Sequence, residues 1–181
     1  MKKQFKLVIA ALVLTLTAFT TVSAQSTFKK SNKFVEGTLS YSKSTDVDAT
    51  YGIRPTVGYF VTDRVAVGLF GEGTKAGDTK TTNIGAFARC YFLSIGQHCK
   101  TYSQLGLASN STNVAGIKAS AFAANVDLGV NYFVSSRLAL TMNVANLISY
   151  ESADSKSTTT IGFDGINNPF ATAKFGVLYK F

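Results

Sequence analysis

The sequence predicts an all-β protein: an eight-stranded antiparallel up-and-down transmembrane β-barrel. Three observations predict it. Apolar residues recur at every second position in eight separate runs, which is the period of strands and not of helices. Charged residues make up only 15% of the 181 positions, against about 25% in an ordinary soluble domain. Gly, Ala, Ser, Thr and Asn fill that deficit. Beyond the first 24 residues no run approaches the ~20 apolar residues of a spanning helix, so any crossing must be made by strands.

The first element is an export signal over residues 1–24. Met1 to Lys6 is a basic leader, Leu7 to Val22 is apolar and softened by threonines, and Val22-Ser23-Ala24 offers the side chains a signal peptidase reads. Cleavage before Gln25 leaves 181 less 24, or 157, residues as one barrel domain, 25–181. That gives each of eight strands and its connection about twenty residues.

The strands follow in order. Val35, Leu39 and Tyr41 alternate with Glu36, Thr38 and Ser40 in the first, and Ile53, Val57, Tyr59 and Val61 with Arg54, Thr56 and Gly58 in the second. Val65, Val67 and Leu69 mark the third, Ile84 to Phe92 the fourth, and Leu105 and Leu107 the fifth. Val126 to Tyr132 and Leu138 to Val144 are the sixth and seventh, and Ala173 to Phe181 the eighth. Short turns are expected near Thr62–Arg64, Ser94–Gln97 and Ser135–Arg137; longer polar loops are expected at 43–50, 74–82, 109–117 and 151–169. Pro55 breaks the pattern, because it removes a ladder donor inside the second strand. A bulge there, or a place beyond the hydrocarbon, would accommodate it.

Which solvent meets the apolar face is settled by three features. Phe34, Tyr59, Phe60, Tyr91, Phe92, Tyr102, Tyr132, Phe133, Tyr179 and Phe181 collect at the short-turn ends, with Tyr41, Tyr51 and Tyr150 near the long loops. Two aromatic belts are what a membrane interface selects. The polar face is poor in charge, and short turns opposite long loops are the asymmetry of outer-membrane barrels. The apolar face is therefore expected to meet lipid.

Closure follows, because each unpaired backbone group in hydrocarbon costs several kcal/mol. Alternation then lists the interior: Glu36, Arg54, Glu72, Arg89, Asp127 and Lys174, three acids with three bases. Thr56, Asn83, Gln104, Asn125, Asn131, Thr141 and Asn143 lie between them. An eight-stranded interior is just wide enough for side chains to fill. Pairing of the charges into a plug is expected, since a buried charge without a partner is strongly destabilising.

The segments Tyr59-Phe60, Thr62-Asp63-Arg64, Ala66-Val67-Gly68-Leu69, Phe87-Ala88-Arg89-Cys90-Tyr91-Phe92 and Gly129-Val130-Asn131-Tyr132-Phe133 resemble the small porin-like outer-membrane β-barrel proteins of Bacteroidetes. These are similar in outline to OmpX and to the OmpA membrane domain. Where that family often places a second Tyr after the fourth-strand Arg, this chain has Cys90. The terminal Phe175, Val177, Tyr179 and Phe181 resemble the signal that the barrel-assembly machinery reads. The resemblance implies a Gram-negative outer membrane, with lipid and lipopolysaccharide around the barrel and the short turns in the periplasm. The expected protein is a monomer without catalysis or cofactor, acting structurally or presenting its loops to an extracellular ligand. A narrow channel and a lipid-modifying enzyme are the alternative classes.

Other chemistry has little support in the residues. The bases are scattered singly apart from Lys29-Lys30, so no nucleic-acid surface is expected. His98 is the only histidine and falls at a short turn, with no Ser–His–Asp set to join. His98 and Cys99 are too few ligands for a closed metal site. Cys90 and Cys99, an even pair in an exported chain, flank the same turn. Either they are bridged as a hairpin clamp or both are free; the bridge is the expectation.

Overall fold

The computed structural model describes residues 28–42, 49–114, 117–153, 156–164 and 174–181. The export signal lies outside them. Nine strands run in order: β1 (Lys33–Ser42), β2 (Thr50–Phe60), β3 (Val65–Ala76), β4 (Thr79–Ile95), β5 (Cys99–Val114), β6 (Ile117–Phe133), β7 (Leu138–Ala153), β8 (Lys156–Asp164) and β9 (Lys174–Lys180). Each of β1 to β7 pairs antiparallel with the next, and β9 closes the ring between β7 and β1.

The wall has eight positions, as the sequence predicts, although nine strands build it. β8 and β9 share the eighth position, both on the same neighbour. The lower part of β7 pairs with β9, from Leu138↔Tyr179 to Asn143↔Lys174. Its upper part pairs with β8, from Asn146↔Asp164 to Ala153↔Lys156.

Three of the expected long loops are therefore mostly strand. β3 and β4 extend until Ala76 faces Thr79 across a Gly77-Asp78 turn. Gly77 adopts φ 55°, the left-handed backbone such a tight turn needs. β5 runs to Val114, β6 restarts at Ile117, and residues 151–153 and 156–164 belong to the paired strands β7 and β8. The reason is compositional: the Thr- and Ser-rich stretches look polar, but threonine's branched side chain favours extended backbone. The fourth expected loop, 43–50, lies mostly outside the described residues. The short turns fall where expected, at 61–64, 96–98 and 134–137.

At Pro55 the bulge, one of the two expected accommodations, is absent. β1 pairs with it without interruption, through Gly37↔Pro55. The β2–β3 ladder lapses only between Ile53↔Gly73 and Thr56↔Phe70, with no change of register. A break in one ladder, rather than a bulge, accommodates the missing N–H.

The outward face is apolar around the ring. Leu39, Ile53, Leu69 and Ile84 are 64%, 59%, 61% and 70% exposed, and Leu105, Leu140, Phe175 and Val177 are exposed with them. The inward face is filled by aromatic rings lying over glycines of the adjacent strand. Phe34 is registered against Gly58, Phe87 against Gly68, Phe70 against Gly85 and Tyr102 against Gly129. At each of these glycines a methyl group would run into the facing ring. The absent side chain is what lets a ring lie flat against the wall.

Candidate functional site

All six charges expected inside do face the lumen, but they are not three equal pairs. The lumen divides into a lower part, toward the short turns, and an upper part, toward the long hairpins.

In the lower part Arg89 of β4 grips Glu36 of β1 with two hydrogen bonds. Its Nη1 donates to Oε2 at 2.8 Å and its Nη2 to Oε1 at 3.0 Å. Such a planar fork on a carboxylate is the strongest geometry available to an ion pair. Nε donates to Gln104 Oε1 at 2.9 Å and Nη1 to the Tyr91 hydroxyl at 3.3 Å. Asn131 Nδ2 donates to the same hydroxyl at 3.2 Å, and Thr141 Oγ1 donates to Asn131 Oδ1 at 3.1 Å. The Tyr102 hydroxyl lies 3.4 Å from Thr141 Oγ1, and its ring centroid is 4.2 Å from the Arg89 guanidinium carbon. One connected network thus ties β1, β4, β5, β6 and β7 across the lumen.

Below it sits a floor of rings that the sequence assigns elsewhere. Phe34, Phe60, Tyr91, Tyr102 and Phe133, expected in the membrane-facing belt, are buried inside. Only Tyr59, Phe92, Tyr132, Tyr179 and Phe181 remain for the outside of that end. Adjacent residues of a strand point to opposite faces, so each Tyr-Phe doublet splits. Phe is inside in Tyr59-Phe60 and Tyr132-Phe133, whereas Tyr is inside in Tyr91-Phe92.

Sequence reading also missed Phe28, which lies ahead of the first strand. Its ring is buried, 4.3 Å from Phe60, 4.5 Å from Tyr91 and 5.2 Å from Phe133, centroid to centroid. The short segment after it is pinned by backbone bonds. Ser31 N donates to Phe60 O at 2.8 Å, and Lys30 N donates to Asp63 Oδ1 at 2.7 Å. Phe28 is a stopper in the barrel floor.

The upper part is built differently. Glu72 serves two cations, with Lys174 Nζ donating to Oε1 at 2.9 Å and Arg54 Nη1 standing 4.0 Å from Oε2. Arg54 also lies over the Phe70 ring, 3.7 Å from its centroid. Asp127 is held by amides: Asn146 Nδ2 donates to Oδ1 at 2.8 Å, and Asn125 Nδ2 donates to Oδ2. Alternation from Met142 and Val144 would put Asn146 outside. Register shifts on β7, with Val144 and Leu147 left unopposed on β6, bring it opposite the inward Asp127.

The groups surround a cavity of about 220 Å³. Among the described residues three buried side-chain atoms have no hydrogen-bond partner within the protein: Arg54 Nη2, Asn83 Oδ1 and Asn110 Oδ1. All three residues line this cavity. Beside the lower network lies a separate space of about 20 Å³, room for about one water.

The cysteines correct the favoured bridge. Both thiols are free. Cys90 faces Ser103 and Cys99 faces Ile95, so the two sit four positions apart in register. That is about 13 Å along a strand, well beyond the reach of a disulfide. Flanking one turn does not make residues opposite. His98 lies at that turn, with Nδ1 3.2 Å from Phe133 O. Phe175, Val177, Tyr179 and Phe181 all face outward along the terminal strand.

No family model matches the chain, and no curated protein matches it in sequence. Solved structures do. The N-terminal β-barrel domain of Pseudomonas aeruginosa OprF aligns with a TM-score of 0.59 at 18% identity, over 84% of this chain and 98% of that one. Neisserial surface protein A aligns at 0.55 and 18%, over 83% and 96%. The outer membrane protein OprG from Pseudomonas aeruginosa aligns at 0.53 and 14%, over 86% and 98%. The chain has the fold of the small outer-membrane β-barrels. At these identities the shared property is the closed eight-stranded ring.

Proposed function

We propose that the protein is a non-enzymatic barrel of the Gram-negative outer membrane, exported by residues 1–24, with its lumen plugged by its own side chains. Its role is structural, or lies in presenting the long-hairpin end to an extracellular ligand. The observation that carries this reading is the continuous apolar exterior on a closed ring. Leu39, Ile53, Leu69 and Ile84, with Leu105, Leu140, Phe175 and Val177, leave exposed apolar residues around the ring, whereas water-soluble monomers rarely expose contiguous apolar patches beyond a few hundred Å². Acyl chains are the solvent that suits it. The short turns then face the periplasm, and the outward Phe175, Val177, Tyr179 and Phe181 are the strand offered to the assembly machinery. The Bacteroidetes resemblance of the Tyr-Phe segments supports the same placement.

The test is cell fractionation combined with gel mobility. The mature chain is expected in the outer-membrane fraction and to migrate differently before and after boiling. A chain that stays monomeric and folded in buffer without detergent would overturn the reading.

A further inference from the structure

We infer, on the membrane placement proposed above, that the outer wall of the β3–β4 hairpin binds a lipid bearing a phosphate monoester, with the phosphate between Lys75 and Lys80 and an acyl chain in the groove beside them. Lys75 and Lys80 stand directly opposite each other across the hairpin, and both are exposed. Residues opposed in this way have Cβ atoms about 4.5–5.5 Å apart, and like charges there destabilise the pair. Among the described residues no carboxylate forms an ion pair with either lysine. The nearest acid along the chain is Asp78, in the turn beyond them. An anion seated between the two ammonium groups turns that repulsion into attraction.

The wall beside the lysines favours a lipid over a free ion. Gly73 is registered against Ile53 on β2 and Thr82 on β4, and a methyl group built on it would meet nothing within 4 Å. The missing side chain leaves an open groove of about 460 Å³, lined by Tyr51, Ile53 and Thr82 together with both lysines. Tyr51 faces Lys75 in register, and its ring centroid lies 5.3 Å from that of Tyr41. Amphipathic rings mark the depth of lipid headgroups, and lysine stems lie along apolar surface while their ammonium groups reach that depth. A phosphate held there has its own acyl chains next to the groove. Charge then selects the ester. A phosphate monoester carries about −1.5 to −2 near neutral pH, which matches two ammonium groups better than the single charge of a phosphodiester. A groove of about 520 Å³ at the short-turn end has one cation in its lining, Lys33, and provides the comparison.

Native mass spectrometry of the mature protein folded in detergent, with its gel shift verified, tests the assignment. The probes are dioleoyl phosphatidic acid, dioleoyl phosphatidylglycerol and dioleoyl phosphatidylcholine, with glycerol phosphate as a headgroup without acyl chains. Phosphatidic acid should be retained at least about threefold above phosphatidylglycerol, with phosphatidylcholine lower still. Lys75→Gln and Lys80→Gln should each cut that retention about fivefold, the worth of one basic residue at a lipid surface. Lys75→Arg and Lys80→Arg should keep it. Gly73→Leu should cut it by filling the groove, and Gly73→Ala replaces that variant should it lose the gel shift. Lys33→Gln should leave retention unaltered. Phosphatidylglycerol held as well as phosphatidic acid overturns the inference. So does displacement of the lipid by an equimolar amount of glycerol phosphate, which would make the site one for free phosphate. Retention that neither Gln substitution at the hairpin moves, or that Lys33→Gln lowers equally, overturns it as well. A protein that never shows the gel shift sinks the barrel reading itself, so the two failures are distinct.

Discussion

Arg54 and Arg89 both point into the lumen, both lie against an aromatic ring and both have a glutamate in reach, yet they end in opposite conditions. Arg89 holds Glu36 through two bonds at 2.8 and 3.0 Å and adds Gln104 and Tyr91. Arg54 approaches Glu72 only to 4.0 Å and leaves Nη2 without a protein partner. The difference lies in what encloses each. At the level of Arg89 the ring closes through β9 and β1, and Phe28 seals the floor. Arg54 lies nearer the upper end of that closure: its partner Thr38 pairs with Gly176, the β9–β1 ladder ends at Ser40↔Lys174, and above it β8 replaces β9 on β7. Dry enclosure selects a fully satisfied network, because a half-satisfied one is worse than none. A roomier chamber tolerates atoms left without a protein partner. Charge balance along the sequence is the same in both halves and distinguishes neither.

The largest expected effect breaks the lower half. Glu36→Ala strands Arg89 in a sealed interior, and removing one partner of a buried pair typically costs about 3–5 kcal/mol. The urea midpoint of the detergent-folded barrel, followed by gel mobility, should fall sharply. Little change would mean that water reaches Arg89 and that the floor is not sealed. Phe28→Ala comes next, at about 3 kcal/mol for a buried ring. Planar-bilayer recordings should stay silent in this variant, since the Arg89–Glu36 network still blocks the bore. Current from Phe28→Ala alone would make the stopper the only gate. Gly129→Ala is a smaller insult, about 1–3 kcal/mol for overpacking, because its methyl meets the Tyr102 ring. A neutral result there would show that Tyr102 can leave the network freely.

What could be read from the sequence follows the same division. Outward faces were legible, because an apolar residue stands at every second position over most of each strand. The inward parity of all six charges was legible for the same reason. Their pairing was not: Glu72 gathers both Lys174 and Arg54, a choice made by side-chain reach across the bore. Asn146 was hidden by register shifts on β7 that no residue type announces. The doublets misled because rings at strand ends suit a membrane interface and a barrel floor equally, and only the parity of each strand decides. The β8 segment was readable in principle, since Thr158, Thr159, Thr160 and Ile161 are branched residues in a row. Phe28 had no signal at all, standing alone before the first alternating run. The two free thiols show the converse error, in which proximity along the chain was taken for opposition across a hairpin.

The smallest expected effect sharpens the comparison most. Lys174→Met removes a charge from an ion pair, as Glu36→Ala does, but in the upper chamber. Glu72 keeps Arg54 within 4.0 Å and accepts from Asn83 Nδ2 at 3.5 Å, and the Lys174 side chain is 31% exposed. Its bond is therefore screened, and the loss should stay below about 1 kcal/mol. Measured by the same urea midpoint, the ratio of the two effects reports how differently the halves are solvated. Equal losses would place Glu72 in an interior as dry as that of Glu36.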